Sequence, residues 1–344
     1  MNVIMIAQQS IALVAGGPYI QVRQTARHLE EHGVSVRFFN PWEGLRRDEV
    51  DLAHVFGANI MTYDIAARLD SLGIPFVVSS IFFTTHPPSF VRMARNLEMT
   101  ARRVYSGIWT DYGLSSAVCG MARMVLPNSL AEAEQVEKGL GIAAEKIRVV
   151  PNGVEERFAS ADPSLFIETY GVRDFVLNVG HIGSPRKNVL NLIRALKSVD
   201  RPAVIIGRIH RNAYAEACLR EAEKNPRITI IDGLPNDSPM LASAYAACSA
   251  FALPSLYETP GIAALEAALA GARIVITKYG GTVDYFEDLA TYVEPTDVGS
   301  IARGINTALA APAPPALRER MRTEFLWPRV SEKTVAVYRE AMMR

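Results

Sequence analysis

The sequence alternates short apolar runs, rich in β-branched residues, with longer segments of helical periodicity, and this alternation limits the possible folds more than any other feature. It is typical of βα units that build a parallel sheet through right-handed crossovers. The first series of runs is Val3–Ala7, Val34–Phe39, Leu52–Val55, Pro75–Val78, Met124–Leu126 and Ile147–Val150, and the second is Phe175–Val179, Ala203–Ile206, Ile228–Ile231, Ala250–Leu253, Arg273–Ile276 and Thr291–Val293. Because the polar stretch at 151–163 has the composition of a connector, we predict two Rossmann-like, doubly wound α/β domains in tandem.

Length and charge agree with this prediction. The chain has 344 residues, more than one hydrophobic core usually spans, and its 36 Lys and Arg residues balance 36 Asp and Glu residues. A nucleic-acid partner is not expected, since phosphate-dominated binders carry a basic excess. Three widely spaced cysteines argue against a disulfide framework or a thiolate metal site. With no basic leader and no long apolar window, we expect a soluble, cytoplasmic protein, and contact with a membrane surface stays open.

In parallel sheets, ligands bind at the carboxyl ends of the strands, so the loops there are the candidate sites. Gly16 and Gly17 follow the first strand and precede a predicted helix at Gln21–Glu31. Two glycines allow close backbone approach to a ligand, and a plain tight turn is the alternative. The sequence contains neither Gly-x-Gly-x-x-Gly nor Gly-x-x-x-x-Gly-Lys, which disfavours nicotinamide enzymes and P-loop NTPases.

The loop after the strand Phe175–Val179 carries two adjacent cations, Arg186 and Lys187. Cations oppose the dipole at the start of the helix that follows, so their presence needs another reason. A diphosphate at the strand end would supply that reason, and a solvated basic pair is the alternative.

The most specific stretch runs from Pro254 to Ala267. Glu258 lies in its loop, and Pro260 predicts the start of a helix whose first amides form an anion site. Glu266 lies farther along the same apolar helix, where a lone carboxylate needs a partner such as the hydroxyls of a ribose. A helix-capping Glu258 and a surface Glu266 are the alternative.

These motifs together resemble glycosyltransferase family 4, the retaining nucleotide-sugar transferases of GT-B fold. The resemblance implies two Rossmann-like domains facing a central cleft: residues 1–158 bind the acceptor and residues 159–327 bind the nucleotide-sugar donor. The helix at 328–344 would pack back on the first domain. The resemblance covers the Gly16-Gly17 loop, Val149–Val154, the loop from Gly180 to Asn188, Glu258 with Glu266, Tyr279–Phe286, and Trp327 with Tyr338.

Carried over to this chain, the resemblance makes Lys187 and Arg186 the cations on the donor diphosphate. It implies that Glu258 contacts hydroxyls of the transferred sugar and that Glu266 holds the ribose. The remaining donor-binding residues would be Gly16, Gly17, His181, Gly261, Ile262 and Ala263.

Two departures from the family pattern concern arginine and histidine. His181 stands where the family usually has an arginine, so Arg186 is expected to do that arginine's work. The first domain lacks a histidine at the usual place, and His86 is its substitute on the acceptor side, with a solvated loop histidine as the alternative. Arg92 and Arg95 fall on one side of a predicted helix with Arg102 and Arg103, and this basic stripe either is solvated or faces anionic lipid or a lipid-linked acceptor.

The expected chemistry needs no metal and no cofactor beyond the nucleotide-sugar. The chain has no Asp-x-Asp, so cations and a helix N-terminus must meet the diphosphate charge. The sequence from His28 to His32 matches a zinc pattern formally, but it lies at a helix end with no third ligand apparent, so we expect no metal site. The acceptor is predicted to be a saccharide, a lipid-linked sugar or a small molecule in polysaccharide or glycoconjugate synthesis.

Other functions stay open at this point. A GT-B sugar-nucleotide epimerase or phosphorylase is the nearest alternative enzyme. A non-catalytic, two-lobed sugar-binding protein has a similar architecture but usually carries an export signal. The base, the sugar, the acceptor and the oligomeric state are not predicted.

Overall fold

The computed structural model describes residues 1–14, 16–105 and 107–344, which divide into two compact units. Unit 1 comprises Met1–Gly153 and Trp327–Arg344, and unit 2 comprises Val154–Leu326. The sequence places the corresponding boundaries after residues 158 and 327. Of the residues predicted to bind ligands, His181, Arg186, Lys187, Glu258 and the 261–266 segment lie in unit 2, and the others lie in unit 1.

Unit 1 contains a five-stranded parallel sheet in the order β2-β1-β3-β4-β5. Along β1, Ile4 and Ile6 enter one core while Val3 and Met5 enter another, so both faces of the sheet are covered. Its elements are β1 Asn2–Ala7, α1 Ile11–Val14, α2 Gly17–Glu30, β2 Ser35–Phe38, β3 Leu52–Phe56, α3 Ile60–Ser71, β4 Phe76–Ser79, α4 Pro88–Ala101, α5 Asp111–Met121, β5 Met124–Val125 and α6 Leu130–Glu134, with a π-helical turn at Gln135–Gly139.

The predicted strand Ile147–Val150 is wrong as an element of the sheet. Ile147 makes only an isolated bridge to Val125, although the amide of Val150 donates to the carbonyl of Pro127 at 2.9 Å. Proline has no N–H to return such a bond, so the ladder cannot continue past the short β5.

Unit 2 contains a six-stranded sheet in the order β11-β10-β9-β6-β7-β8, again parallel throughout. Large cores cover both of its faces. Its elements are α7 Ser164–Tyr170, β6 Val176–Val179, a 3₁₀ turn Pro185–Lys187, α8 Val189–Ala195, β7 Ala203–Ile206, α9 Ala213–Ala222, β8 Ile228–Ile231, α10 Pro239–Ala247, β9 Ala250–Leu253, α11 Ile262–Ala270, β10 Arg273–Thr277, α12 Thr282–Phe286, β11 Thr291–Val293, α13 Val298–Ala310 and α14 Pro315–Glu324.

The chain then returns to unit 1 through α15, Trp327–Met343. The hydroxyl of Tyr338 lies 2.6 Å from Nδ1 of His54, whose Nε2 lies 2.9 Å from the Ser79 hydroxyl. Arg148 pairs with Glu340 at 2.6 Å. This buried polar contact and the ion pair attach the C-terminal helix to β3, β4 and the end of the first chain segment.

Candidate functional site

The strand order of unit 2 determines where its ligand site lies. β6 has β7 on one side and β9 on the other, so the connections after β6 and β9 leave the sheet in opposite directions. Crevices form at such switch points, outside the carboxyl ends of the strands. The loop after β6 carries Arg186 and Lys187, and the loop after β9 carries Glu258. The topology therefore brings the adjacent Arg186 and Lys187 together with Glu258, which lies about seventy positions later in the sequence.

Glu258 is the centre of this site, with a side chain only 5% exposed. Its Oε1 accepts a hydrogen bond from Nζ of Lys187 at 2.6 Å and from the Ser255 hydroxyl at 2.6 Å, and Nη1 of Arg186 lies 3.3 Å away. The two cations predicted to hold a diphosphate thus converge on a single carboxylate.

The charges of this cluster depend on one another. Burial by itself would raise the pKa of Glu258, but the adjacent Lys187 and Arg186 outweigh it and hold the pKa below its ordinary value. Burial lowers the pKa of Lys187, an effect that Glu258 opposes and Arg186 reinforces. Each partner of the ion pair therefore favours the charged form of the other in a largely desolvated place.

Backbone contacts hold the two loops against each other. The amide of Leu256 donates to the Arg186 carbonyl at 2.8 Å, and Asn188, with φ of 55°, donates its side-chain amide to the Pro254 carbonyl at 2.9 Å. On the far side, the Glu258 amide donates to the Tyr279 carbonyl at 3.0 Å. Gly280 has φ of 101°, and a Cβ there would lie 1.9 Å from the Glu258 carbonyl oxygen, so only glycine fits.

The start of α11 differs from the prediction. Pro260 does not open the helix; Gly261 is the N-cap, in a left-handed conformation with φ of 77°, and Ile262 is the first helical residue. A left-handed residue here suits glycine because it has no Cβ. The amides of Ile262 and Ala263 still belong to the first turn, which has no partners for them within the helix.

Glu266 is buried on α11, and its partners are side chains of the protein. The Tyr245 hydroxyl donates to its Oε2 at 2.7 Å, and the Asn236 amide donates to its Oε1 at 3.0 Å. The expectation that this carboxylate lacks a protein partner is therefore wrong. Burial raises the pKa of Glu266 to about 7, although both hydrogen bonds lower it.

His181 lies just beyond β6 and is half-buried. Its ring meets His210 edge-on, with centroids 5.2 Å apart. Burial, followed by the charges of His210, Lys187, Arg208 and Arg186, lowers the pKa of His181. The predicted donor-binding histidine thus belongs to the basic side of the cluster.

In unit 1, Gly16 is the N-cap of α2 and Gly17 is its first residue, so the helix starts four positions earlier than the predicted Gln21. His86 lies in the loop after β4. Its Nδ1 lies 2.9 Å from the Tyr112 hydroxyl and 3.2 Å from the Thr84 hydroxyl, and its ring stacks on Phe90 at 4.4 Å. These contacts fix the orientation of an exposed imidazole at the carboxyl edge of the sheet.

The predicted basic stripe on α4 is wrong in part. Arg92 and Arg103 are exposed, but Arg95 turns inward and donates to the Leu140 carbonyl. Arg102 lies beyond the end of the helix, 3.6 Å above the Trp109 ring and 3.7 Å from the buried Glu98. The sequence could not indicate the contact of Arg95, because its partner Leu140 lies 45 positions away.

The two units match models of related proteins along most of their length. A model described as glycosyl transferases group 1 matches residues 168–324, within unit 2. A model described as Glycosyltransferase Family 4 matches residues 38–158, nearly all of them in unit 1. The chain belongs to glycosyltransferase family 4. The resemblance proposed from the sequence motifs is confirmed.

This glycosyltransferase is 26% identical, over 322 residues, to the MMP α-(1→4)-mannosyltransferase of Mycolicibacterium hassiacum. The match covers 87% of this chain and 72% of the mannosyltransferase. It is also 30% identical, over 251 residues, to the D-inositol 3-phosphate glycosyltransferase of Kribbella flavida. That match covers 64% of this chain and 57% of the Kribbella protein. The chain spans only about half the length of several further relatives. These named relatives do not support an epimerase, a phosphorylase or a solute-binding protein.

Solved structures confirm the fold class. Sucrose-phosphate synthase from Thermosynechococcus elongatus superposes with a TM-score of 0.77 at 19% identity, over 98% of both chains. Anabaena Alr3699/HepE, in complex with UDP and glucose, superposes with a TM-score of 0.73 at 20% identity, over 99% of this chain and 100% of that one. The family 4 glycosyltransferase therefore has the GT-B fold of two parallel-sheet α/β domains.

The formal zinc pattern from His28 to His32 lies at the end of α2, and its two histidines contact different residues. Nδ1 of His28 lies 3.1 Å from Glu31, and Nε2 of His32 lies 2.9 Å from the Ser331 hydroxyl. Within residues 1–14, 16–105 and 107–344, no three His, Cys, Asp or Glu side chains are grouped as metal ligands would be. In the same ranges, no helix is both long and apolar enough to cross a bilayer.

Sequence reasoning missed several residues of this glycosyltransferase that touch the candidate groups. Ser255 and Asn236 follow β9 and β8, so a search for polar residues at every strand end would have found both. Tyr245 lies in the last turn of α10, and no local sequence pattern indicates its contact with Glu266. No local pattern indicates the role of Tyr112 either, because its contact with His86 spans 26 positions.

Proposed function

We propose that this glycosyltransferase moves a sugar from a nucleoside diphosphate to a hydroxyl of a saccharide, lipid-linked or small-molecule acceptor, with retention of the anomeric configuration. The observation that carries the proposal is the convergence of Lys187 and Arg186 on Glu258 at the switch point of unit 2. A diphosphate entering there gives the cations a second anion and frees Glu258 to accept hydrogen bonds from the sugar. The Anabaena structure with UDP and glucose supports a nucleotide ligand.

The chemical demand is to stabilise a departing nucleoside diphosphate and an oxocarbenium-like sugar. Lys187 and Arg186 would bear the charge that develops on the leaving group, together with the first amides of α11. Glu266 would accept hydrogen bonds from the hydroxyls of the ribose. As the family resemblance implies, the leaving phosphate takes the acceptor proton on the front face, so no protein nucleophile is assigned.

We propose that this site needs no metal, because two fixed side-chain cations already act on the leaving group. Turnover in excess EDTA should therefore equal turnover in buffer alone. Activity that EDTA abolishes and only Mn²⁺ or Mg²⁺ restores would contradict the proposal.

The donor site is tested by release of nucleoside diphosphate. A thermal-shift screen with UDP, GDP, ADP and dTDP first identifies the base, since a bound ligand raises apparent stability by mass action. With the matching sugar donor, release should need acceptor, and Lys187→Ala, Arg186→Ala and Glu258→Ala should each lower turnover about 100-fold or more. Lys197→Ala, which removes an exposed ion pair with Glu221 in the same unit, is the control. Near-normal turnover in all three site variants would remove the proposed site.

On the acceptor side, we propose that His86 contacts the acceptor hydroxyl. Tyr112 and Thr84 engage its Nδ1, and the stack on Phe90 orients the ring, so Nε2 is the atom available to a ligand. His86→Gln should raise KM for the acceptor at least tenfold and leave KM for the donor unchanged. A donor-side effect would contradict this role.

We also propose peripheral contact between α4 and an anionic membrane, at the inner face of a cytoplasmic membrane. The outward face of α4 and the following turn carries Met93, Leu97 and Val104, which are 52%, 63% and 75% exposed. Arg92 and Arg103 flank them, and the only acidic side chain of this segment, Glu98, is buried. An apolar stripe with flanking cations matches the chemistry of an anionic lipid surface.

Flotation with phosphatidylglycerol-containing vesicles at low salt tests the contact. The double variant Met93→Ser/Leu97→Ser should stay in the soluble fraction. Met99→Ser is the matched control, since Met99 is 56% exposed but lies on another side of the helix. Flotation that is equal in both variants, or absent in the unmodified protein, would contradict the membrane contact.

A further inference from the structure

Two histidines meet at the ends of β6 and β7, beside the proposed diphosphate site. The loops after these strands are joined by a bridge between Ile182 and Ile209. Gly207 makes the close approach possible, because a Cβ there would lie 1.8 Å from the Gly180 carbonyl oxygen. The residues that follow the two glycines are thereby forced together, and His181 meets His210 with ring centroids 5.2 Å apart.

The surroundings of His181 are unusual for an imidazole. Its Nδ1 is buried and has no hydrogen-bond partner in the structure. The charged and titratable groups that act on the ring are His210, Arg208, Lys187 and Arg186, all of them basic. Burial and these neighbours lower the pKa of His181, so the ring is uncharged at neutral pH.

Two carboxylates contact these basic residues or their chain neighbours, and both already have partners. Glu258 is already held by Lys187, Arg186 and Ser255. On the β7 side, Asp232 accepts a hydrogen bond from the Ile209 amide at 2.9 Å, next to His210. An unpaired buried nitrogen among basic groups is costly, and an anion bound there would satisfy it.

We propose that His181 takes up a proton from solvent when the donor diphosphate binds, and that the resulting imidazolium donates a charge-assisted hydrogen bond to a phosphate oxygen. The inference rests on the proposed function and adds a property to it: donor binding in this enzyme is coupled to proton uptake. A permanent cation at this position would bind the diphosphate at any pH, whereas His181 binds it as a cation only after protonation.

The direction of the pH dependence follows from this coupling. A bound anion favours the charged form of the imidazole, so the pKa of His181 is higher in the complex than in the free protein. Diphosphate affinity then increases as the pH falls through the pKa of the complex, and it levels off below the pKa of the free protein. Over this window one proton gives a change of up to about tenfold per pH unit.

Inorganic pyrophosphate is the probe, because it lacks a ribose and so does not involve Glu266. The chain has six histidines, and NMR of the ¹³C-labelled imidazoles follows each of them, with His181→Asn assigning the signal. Saturating pyrophosphate should raise the pKa of His181 by at least one unit and leave His28 and His32, in the other unit, unchanged. If pyrophosphate binds without raising the pKa of His181, the inference of proton uptake is overturned and the proposed function is not.

Two variants separate charge from structure. The affinity of His181→Asn is divided by that of the unmodified protein at the same pH, which cancels the titration of the ligand itself. This ratio should fall progressively as the pH falls from about 8 to about 6. His181→Arg, compared at the same pH, should bind more tightly than the unmodified protein at about pH 8 and about as tightly at about pH 6. A ratio for His181→Asn that is constant with pH would contradict proton uptake. No binding of pyrophosphate or of any nucleoside diphosphate would contradict the proposed function as well.

Discussion

Replacing Lys187 with methionine tests whether the ion pair at the strand ends has two separable roles. The substitution keeps the length of the side chain but leaves Glu258, 5% exposed, without its nearest cation. Removing one partner of a buried pair usually costs about 3–5 kcal/mol. Because Lys187 is 16% exposed, and Arg186 and Ser255 still contact the carboxylate, we expect a loss of about 2–3 kcal/mol in the stability of unit 2.

The double variant Lys187→Met/Glu258→Gln separates the two roles. It removes the uncompensated charge together with the cation, so stability should return to within about 1 kcal/mol of the unmodified protein. Turnover should stay lost, since the cation proposed to bind the diphosphate and the carboxylate proposed to contact the sugar are both gone. The destabilisation of the single variant should shrink in acid as well, because Glu258 becomes neutral without its cation and its burial then costs less.

The assay must report on unit 2. All three tryptophans, Trp42, Trp109 and Trp327, lie in unit 1, so fluorescence follows the wrong unit. Hydrogen exchange of peptides from β6 and β9 in increasing urea measures the relevant opening free energy. Unchanged exchange in Lys187→Met would refute the buried pair. Recovery of turnover in the double variant would refute the role of Lys187 in catalysis.

Four further predictions concern Glu266, Tyr338 and Gly280. Glu266→Gln should stabilise unit 2 at pH 8 by about 1–3 kcal/mol, measured by the same exchange experiment. Burial raises the folded-state pKa of Glu266 to about 7, so ionisation of this side chain weakens folding as the pH rises above its unfolded pKa. A loss of stability in Glu266→Gln at about pH 8 would contradict this. The same variant should bind nucleoside diphosphate more weakly above pH 7, by titration calorimetry, if Glu266 holds the ribose. Tyr338→Phe leaves Nδ1 of the buried His54 unpaired and should cost about 1–3 kcal/mol, which Trp327 fluorescence during urea unfolding reports; an unchanged midpoint would contradict the contact. Gly280→Ala forces a Cβ against the Glu258 carbonyl, so turnover should fall while the urea midpoint of unit 1 stays constant, and normal turnover would contradict the tight approach.

The sequence by itself determined most of the strands and indicated which residues follow their carboxyl ends. β7, β8, β9 and β11 begin and end where the apolar runs do. β7 and β9 are buried on both faces, so their apolar runs are continuous in sequence and need no distant information. Arg186, Lys187 and Glu258 were predictable for a similar reason, since each follows a recognisable strand. The family, the GT-B fold and the glycosyltransferase function were all evident from ordered local motifs.

Only the tertiary structure decided which side chains satisfy one another. The sequence shows Glu266 as a lone carboxylate on an apolar helix. In the structure, Tyr245 and Asn236, from two other segments, donate hydrogen bonds to it. Arg95 had the periodicity of an exposed stripe, yet the Leu140 carbonyl draws it inward. Periodicity records which face of an element is buried, whereas a hydrogen bond depends on distances between segments that no local pattern encodes. The meeting of His181 with His210 is of this second kind, because it exists only where the ends of β6 and β7 lie side by side.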